Sequence, residues 1–301
     1  MPHHGHPIHQ ALYHYYSAFD APALIARFAV VDQEGTPGTL TNFIGLRVPV
    51  QVFPPVLAQM DGQVEGPPDP GNWHADIAEW AAALHAVAEA APRGHLRVVE
   101  LGCGWGCWLG ITGTAARQLD LPVDLIGVEG DANHLTNARA MLALNGFAED
   151  EFKLVHGIAA PARGRAIFPG PKAGEAGWGG EAVFDADDET LERAEADASV
   201  QVLDCYPLGD LSGGDPIDLL HIDIQGAEAD FVIGNLADMQ THVRRVLIGT
   251  HSRAIEGRLE EIFLKAGWRM EMDRPAIAPL QDGKPVIYID GVQMWANPDL
   301  V

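Results

Sequence analysis

Apolar and polar positions change period several times along the chain, and the changes mark out its elements. From residue 96 a regular alternation sets in. Apolar runs of strand length at Leu96–Leu101, Val123–Val128, Phe152–Ile158, Ile217–Ile222 and Val243–Gly249 are followed by segments with helical spacing of apolar residues. Those segments run over Trp108–Leu119, Ala132–Asn145, Glu228–Leu236 and Ile255–Ala266, and Gly146 and Gly267 close two of them as C-caps. Strand–helix alternation with short links predicts a parallel sheet covered on both faces, and such sheets bind ligands beyond the carboxyl ends of their strands. Two last apolar runs, Trp268–Met272 and Val286–Trp295, are expected to pair at the sheet edge. No internal repeat is visible.

Two stretches break the rhythm. Residues 1–71 carry Pro and Gly clusters, including Pro54-Pro55 and Gly66-Pro67-Pro68-Asp69-Pro70-Gly71, with a strand or hairpin arm over Thr41–Phe53; they read as an accessory or lid region preceding a main domain at 72–301. His3, His4, His6, His9 and His14 lie in its opening stretch, which reads as a mobile polar terminus rather than a metal site. Beyond the cluster, Ile77, Trp80, Ala81, Leu84 and Val87 form one helical stripe ended by Pro92 and Gly94, and His85 beside it reads as structural. The second break, about 161–211, holds the Gly-rich PGPKAGEAGWGG, an acidic helix-like DADDETLERAEAD and a strand-like SVQVLDCYPL. An insertion beside the ligand edge is a good place to hold a substrate.

Composition narrows the partners. With 301 residues the chain can bury a large core, and 42 acids against 19 Lys and Arg give a formal charge of −23. That charge argues against nucleic acid or an anionic membrane and for a small-molecule or glycan acceptor. Cys103, Cys107 and Cys205 make no disulfide framework or zinc set. No run approaches the ~20 apolar residues of a membrane helix and no leader is evident, so a cytoplasmic protein is expected. A homo-oligomer is compatible with all of this.

The chemistry gathers at the strand ends. VVELGCGWGCWLG reads as strand, tight turn and helix, with Gly102, Gly104 and Gly106 letting a ligand approach the main chain at a helix N-terminus. A dinucleotide turn has G-x-G-x-x-G, but here the third position is Cys107, and Glu100 at the strand's end would repel a phosphate while welcoming a cationic amino-acid moiety. The turn therefore favours S-adenosylmethionine over NAD, with Glu100, Gly102, Cys103, Gly104, Trp105 and Gly106 around it. Glu129, roughly 20 residues past the glycines, suits the two ribose hydroxyls of either cofactor. Gly157 and Ile158 are small enough for an adenine face. The fourth strand exits at Asp223, with Glu228 in the next helix's first turn, and the fifth at His251.

With these residues in view, the glycine motif, GVEGD, PIDLLHIDIQGAEADFVIG and VLIGTHSRAIEGRLEEIFLKAGW resemble the FkbM-type S-adenosylmethionine-dependent methyltransferases over about residues 95–270. The resemblance implies a Rossmann-like class I methyltransferase sheet, mostly parallel with an antiparallel edge, and O-methylation of a sugar, glycan or polyketide-type product. The family's D-x-E-G-x-E reads Asp223-Ile224-Gln225-Gly226-Ala227-Glu228 here, so Gln225 stands where an acid is usual.

Methyl transfer to a hydroxyl needs a base, and His251 is the first expectation because imidazole titrates near neutral pH. Asp223 is the second, either accepting the proton or orienting the cofactor's amino group; Glu228 serves in catalysis or caps its helix. The three could also hold a divalent cation, although no metal is assigned. The alternatives are an NAD(P)-dependent oxidoreductase on a similar sheet and a non-catalytic scaffold on a cofactor fold.

Overall fold

The structure is a computed structural model that describes residues 7–170, 177 and 179–301. The expected loop over 169–180 and the histidines at His3, His4 and His6 fall largely or wholly outside those residues.

In chain order, α1 (Pro7–Ala11), β1 (Tyr16–Ser17), α2 (Ala21–Phe28), β2 (Thr39–Thr41), β3 (Arg47–Pro49) and α3 (Pro54–Leu57) precede α4 (Ile77–Ala90). Then come β4 (Leu96–Leu101), α5 (Cys107–Arg117), β5 (Val123–Glu129), α6 (Ala132–Leu144), β6 (Phe152–His156) and β7 (Ile158–Ala159). The insertion supplies β8 (Gly164–Pro169), α7 (Asp188–Glu195), β9 (Val200–Tyr206) and α8 (Leu208–Ser212). The alternation resumes with β10 (Ile217–Ile222), α9 (Glu228–His242), β11 (Val243–Thr250), α10 (Arg253–Lys265) and β12 (Arg269–Arg274). A hairpin, β13 (Leu280–Gln281) and β14 (Lys284–Pro285), leads to β15 (Gly291–Ala296).

The main sheet has the order β1-β12-β15-β11-β10-β4-β5-β6. Strands β11, β10, β4, β5 and β6 pair in parallel, while β15 is antiparallel to both β11 and β12. The expected mostly parallel Rossmann-like sheet with an antiparallel edge is therefore present. β15 slots between β11 and β12, one place further inside than the expected edge pair, and its six residues are all buried.

Helices begin where the sequence supplies acceptors for their free amides. Asp76 caps α4, accepting from the backbone N–H of Ala78 and Glu79, and Asp131, Asp187 and Ser252 do the same for α6, α7 and α10; each cap is worth about 1 kcal/mol. On one face of the sheet α9 and α10 bury Phe231, Val232, Leu259 and Phe263 with Trp295. On the other face the core is shared: Leu40, Phe43, Ile44, Leu46, Val48 and Leu57 pack with Trp80, Leu84, Leu109 and Met141.

The region expected as an accessory lid is thus built into the domain's core. β1 extends the main sheet by pairing with β12. The Arg47 backbone N–H donates to Asn145 Oδ1 at 2.9 Å, Arg47 Nη2 donates to the Leu144 carbonyl at 2.6 Å, and Gln118 Nε2 reaches the Phe28 and Ile44 carbonyls. The strand expected over 152–158 breaks at Gly157, where a Cβ would stand 2.4 Å from the Tyr206 ring. β7 leaves the main sheet there and joins β9 and β8 in a three-stranded sheet, so the insertion is anchored beside the carboxyl edge. Among the described residues no helix is long and apolar enough to cross a membrane.

Candidate functional site

The turn after β4 closes onto the end of β10. Gly102 has φ +72°, and a Cβ there would lie 1.9 Å from the Asp223 carbonyl oxygen, so a side chain is excluded by contact as well as by backbone conformation. Two cavities open on either side of this crossing, and Gly102, Gly104 and Asp223 line both.

The first, of about 470 Å³, lies over β5 and β7 and includes Glu129, Gly130, Gly157, Ile158, Ala159 and Phe168 in its wall. Glu129 is 9% exposed. Its Oε2 accepts from the Gly104 N–H at 2.9 Å and its Oε1 from the Asp131 N–H at 2.7 Å, leaving further lone pairs for hydroxyl donors. The insertion roofs this cavity: Gly177 donates its N–H to Asp131 Oδ2 at 2.8 Å, and its carbonyl meets His134 Nε2 at 3.0 Å.

The second, of about 610 Å³, lies between the N-terminal region and the segment before β15. Its wall holds the rings of Trp73, Trp105, Trp108 and Tyr288 and the carboxylates of Glu79, Glu100, Asp223 and Asp290. Trp73 and Trp105 stack at 5.8 Å. His74 Nδ1 bonds Glu65 Oε2 at 2.5 Å, while its Nε2 is buried without a hydrogen-bond partner. Arg274 also lines the space, and its Nε is 2.7 Å from Asp76 Oδ2. His221, 2% exposed at the side chain, sits 3.9 Å from both Glu79 and Glu100.

Behind Asp223 lies a carboxylate–imidazole–carboxylate bridge. His251 Nε2 is 3.2 Å from Asp223 Oδ1 and His251 Nδ1 is 2.8 Å from Glu228 Oε1. Burial would lower the imidazole pKa, but the hydrogen bonds and charges of Asp223 and Glu228 outweigh it and push His251 up to about 10. The ring is therefore a cation at neutral pH. The three side chains offer one donor atom each within 4.8 Å of one another, the spacing of a cation site, but both imidazole nitrogens are already committed to carboxylates, so the ring stands where a cation would.

The structure brings most of the expected residues together and reassigns several. Gly102, Gly104, Glu129, Gly157, Ile158 and Asp223 line the first cavity; Glu100, Cys103, Trp105 and again Asp223 line the second. Gly106 lines neither: at φ +80° it is the N-cap of α5. Glu100 turns under the loop, where Oε1 accepts from the Trp108 N–H at 3.2 Å and Oε2 from the Leu109 N–H at 2.9 Å. Gly106 has no side chain to cap α5, so Glu100 satisfies two of the orphan amides while it also lines the second cavity. Burial raises its carboxyl to about 7, against the lowering pull of His221 and those two amides.

His251 and Glu228 line neither cavity; they reach the site through Asp223. Glu228, fully buried, also accepts from the Gly226 N–H at 2.9 Å. Sequence reasoning missed Phe168, which packs on Gly130, and Trp73, His74, Glu79 and Asp290. For Glu79 the local signal is Asp76, whose cap starts α4 at Ile77 and puts Glu79 in its first turn.

A curated protein of Jannaschia sp. (strain CCS1), named provisionally as a methyltransferase, is 52% identical over 268 residues, covering 88% of this chain and 94% of its own. The chain belongs to the methyltransferases, and its sheet is the Rossmann-like class I arrangement. No family model matches it. Solved structures it resembles include methyltransferase FkbM from Methylobacillus flagellatus KT, with TM-score 0.44, 11% identity and coverage of 85% of this chain and 73% of that one. The N-terminal domain of human METTL16 in complex with SAH gives a TM-score of 0.38 at 12% identity, covering 74% and 71%.

Proposed function

We propose that the protein methylates an oxygen of a small hydroxyl-bearing acceptor with S-adenosylmethionine as donor, as FkbM-type enzymes are expected to. One observation carries the reading: two cavities meet at Gly102, Gly104 and Asp223, one walled by a ribose-type carboxylate and a flat small-residue face, the other by rings and acids. The first suits an adenosine. Glu129 would hold the ribose hydroxyls, the Gly157–Ala159 edge and Phe168 the adenine, and the side-chain-free turn lets the donor's chain cross to the second cavity.

S-adenosylmethionine, when bound, supplies a methyl group on a sulfonium that departs as a neutral thioether. The chain's own part is placement and proton handling. Holding the acceptor oxygen ~3–3.5 Å from the methyl carbon, in line with the leaving sulfur, removes much of the barrier. The hydroxyl proton goes to Asp223, the carboxylate at the junction, 41% exposed at its side chain. His251, with Nε2 3.2 Å from Asp223 Oδ1, holds that carboxylate in one orientation, and because the ring is already cationic the base role expected of the imidazole passes to its carboxylate neighbour. Calorimetry with S-adenosylmethionine, S-adenosylhomocysteine and NAD tests the donor assignment. Binding of the first two and not of NAD is expected; NAD binding alone would overturn it.

A further inference from the structure

The lining of the second cavity is unbalanced in charge. Five carboxylates, of Asp76, Glu79, Glu100, Asp223 and Asp290, face it against the single guanidinium of Arg274. Arg274 is matched to Asp76 at 2.7 Å and is 3% exposed at its side chain, so it has no charge to spare for a ligand. Glu100 is spent on the α5 amides and Asp223 on His251. Asp290, at the mouth, has no hydrogen-bond or ion-pair partner among the described residues, and the nearest cationic neighbour of Glu79 is His221 at 3.9 Å. Burial raises the carboxyls of both Glu79 and Asp290, with neighbouring acids adding to the rise and His221 (for Glu79) and His251 and Arg274 (for Asp290) pulling against it.

Two further observations point to a ligand. The wall is not a bare acid patch: the stacked indoles of Trp73 and Trp105 offer faces that attract cations as well as apolar surface. Two buried imidazoles in the same wall are unfinished, since His74 Nε2 and both ring nitrogens of His221 have no hydrogen-bond partner. With Arg274, His221 and a donor's ammonium counted, five acids still face three cations, and Asp290 at the mouth has no ion-pair partner among the described residues.

Resting on the acceptor role given to this cavity, we propose that the acceptor is a small organic cation, a hydroxyl compound carrying a protonated amine, held between the indole faces and the Glu79 and Asp290 carboxylates. Phosphorylated or carboxylated acceptors are disfavoured by the same wall, because it sets several acids against them and its guanidinium is already paired.

The test uses three probes of similar size that share a phenol and differ in charge: tyramine, 4-ethylphenol and 3-(4-hydroxyphenyl)propionate. Each is titrated into the full chain saturated with S-adenosylhomocysteine, following tryptophan fluorescence. Tyramine is expected to bind saturably and at least tenfold more tightly than 4-ethylphenol, with no binding of the anion. Glu79→Gln and Asp290→Asn are each expected to weaken tyramine at least fivefold, each variant being saturated with S-adenosylhomocysteine according to its own Kd. Equal or tighter binding of the neutral or anionic probe, or no saturable tyramine binding, overturns the proposal. A failure of S-adenosylhomocysteine to bind in the first step sinks the donor assignment instead, and repeating the tyramine series without it still reads the charge preference of the cavity.

Discussion

Replacing His251 by glutamine removes the only positive charge from a bridge whose inner acid, Glu228, is fully buried. Two routes give the size of the effect. Breaking a buried ion pair by deleting one partner costs about 3–5 kcal/mol. Raising an imidazole from 6.5 to about 10, at about 1.4 kcal/mol per unit, reaches the same range. With 18% of the side chain in water, the lower end, about 3 kcal/mol, is expected. The sign follows from the direction of the shift. A folded-state pKa above the unfolded one means that the contribution is complete below about pH 6.5 and disappears as pH climbs through about 10. Urea denaturation at pH 6, 7, 8, 9 and 10 should therefore show a gap between wild type and His251→Gln that is full at pH 6 and has largely closed at pH 10. Other groups titrate in this window, but they do so in both proteins and cancel in the difference. Two curves that stay parallel from pH 6 to 10 would show that the ring is not a buried cation, and the reassignment of the base to Asp223 would go with it.

Three other perturbations probe the site. Glu129→Ala should weaken S-adenosylhomocysteine binding more than tenfold by calorimetry, and an unchanged Kd would remove the ribose assignment. Asp223→Asn is expected to lower turnover by ~10²–10⁴-fold with cofactor affinity nearly intact; wild-type turnover in a radiolabelled methyl assay would place the base elsewhere. Gly102→Ala, whose Cβ would lie 1.9 Å from the Asp223 carbonyl, should abolish cofactor binding or folding, and a folded variant with wild-type affinity would contradict the close crossing of the two strands' ends.

The main sheet was legible because its central strands β4, β5, β10 and β11 are apolar runs buried on both faces and α4, α6 and α10 open on side-chain caps, so these elements announce themselves locally. Glu129 and Asp223 could be found because their positions follow from strand ends. The use of Glu100 could not: its oxygens turn to α5 because Gly106 leaves the helix uncapped, a fact of side-chain direction that no spacing reports. The setting of His251 was hidden for a similar reason, since its pKa is raised by two acids 28 and 23 residues earlier in the chain whose convergence only the fold reveals. How the N-terminal region packs was not legible because its strands are two or three residues long, too short to show a period, although its apolar residues share one half of the core.

That shared half-core bears on how such a protein could change its acceptor. Asn72 receives the Trp80 indole N–H at 3.0 Å, and Trp80 meets Phe43 edge-on at 4.6 Å, immediately beside the Trp73 and His74 that wall the second cavity, proposed above to take the acceptor. Selectivity and foldedness are drawn from one patch of chain, so a drift toward new substrates by remodelling this segment would be throttled by the survival of the protein itself. The exposed Asp290 side is the freer route for change.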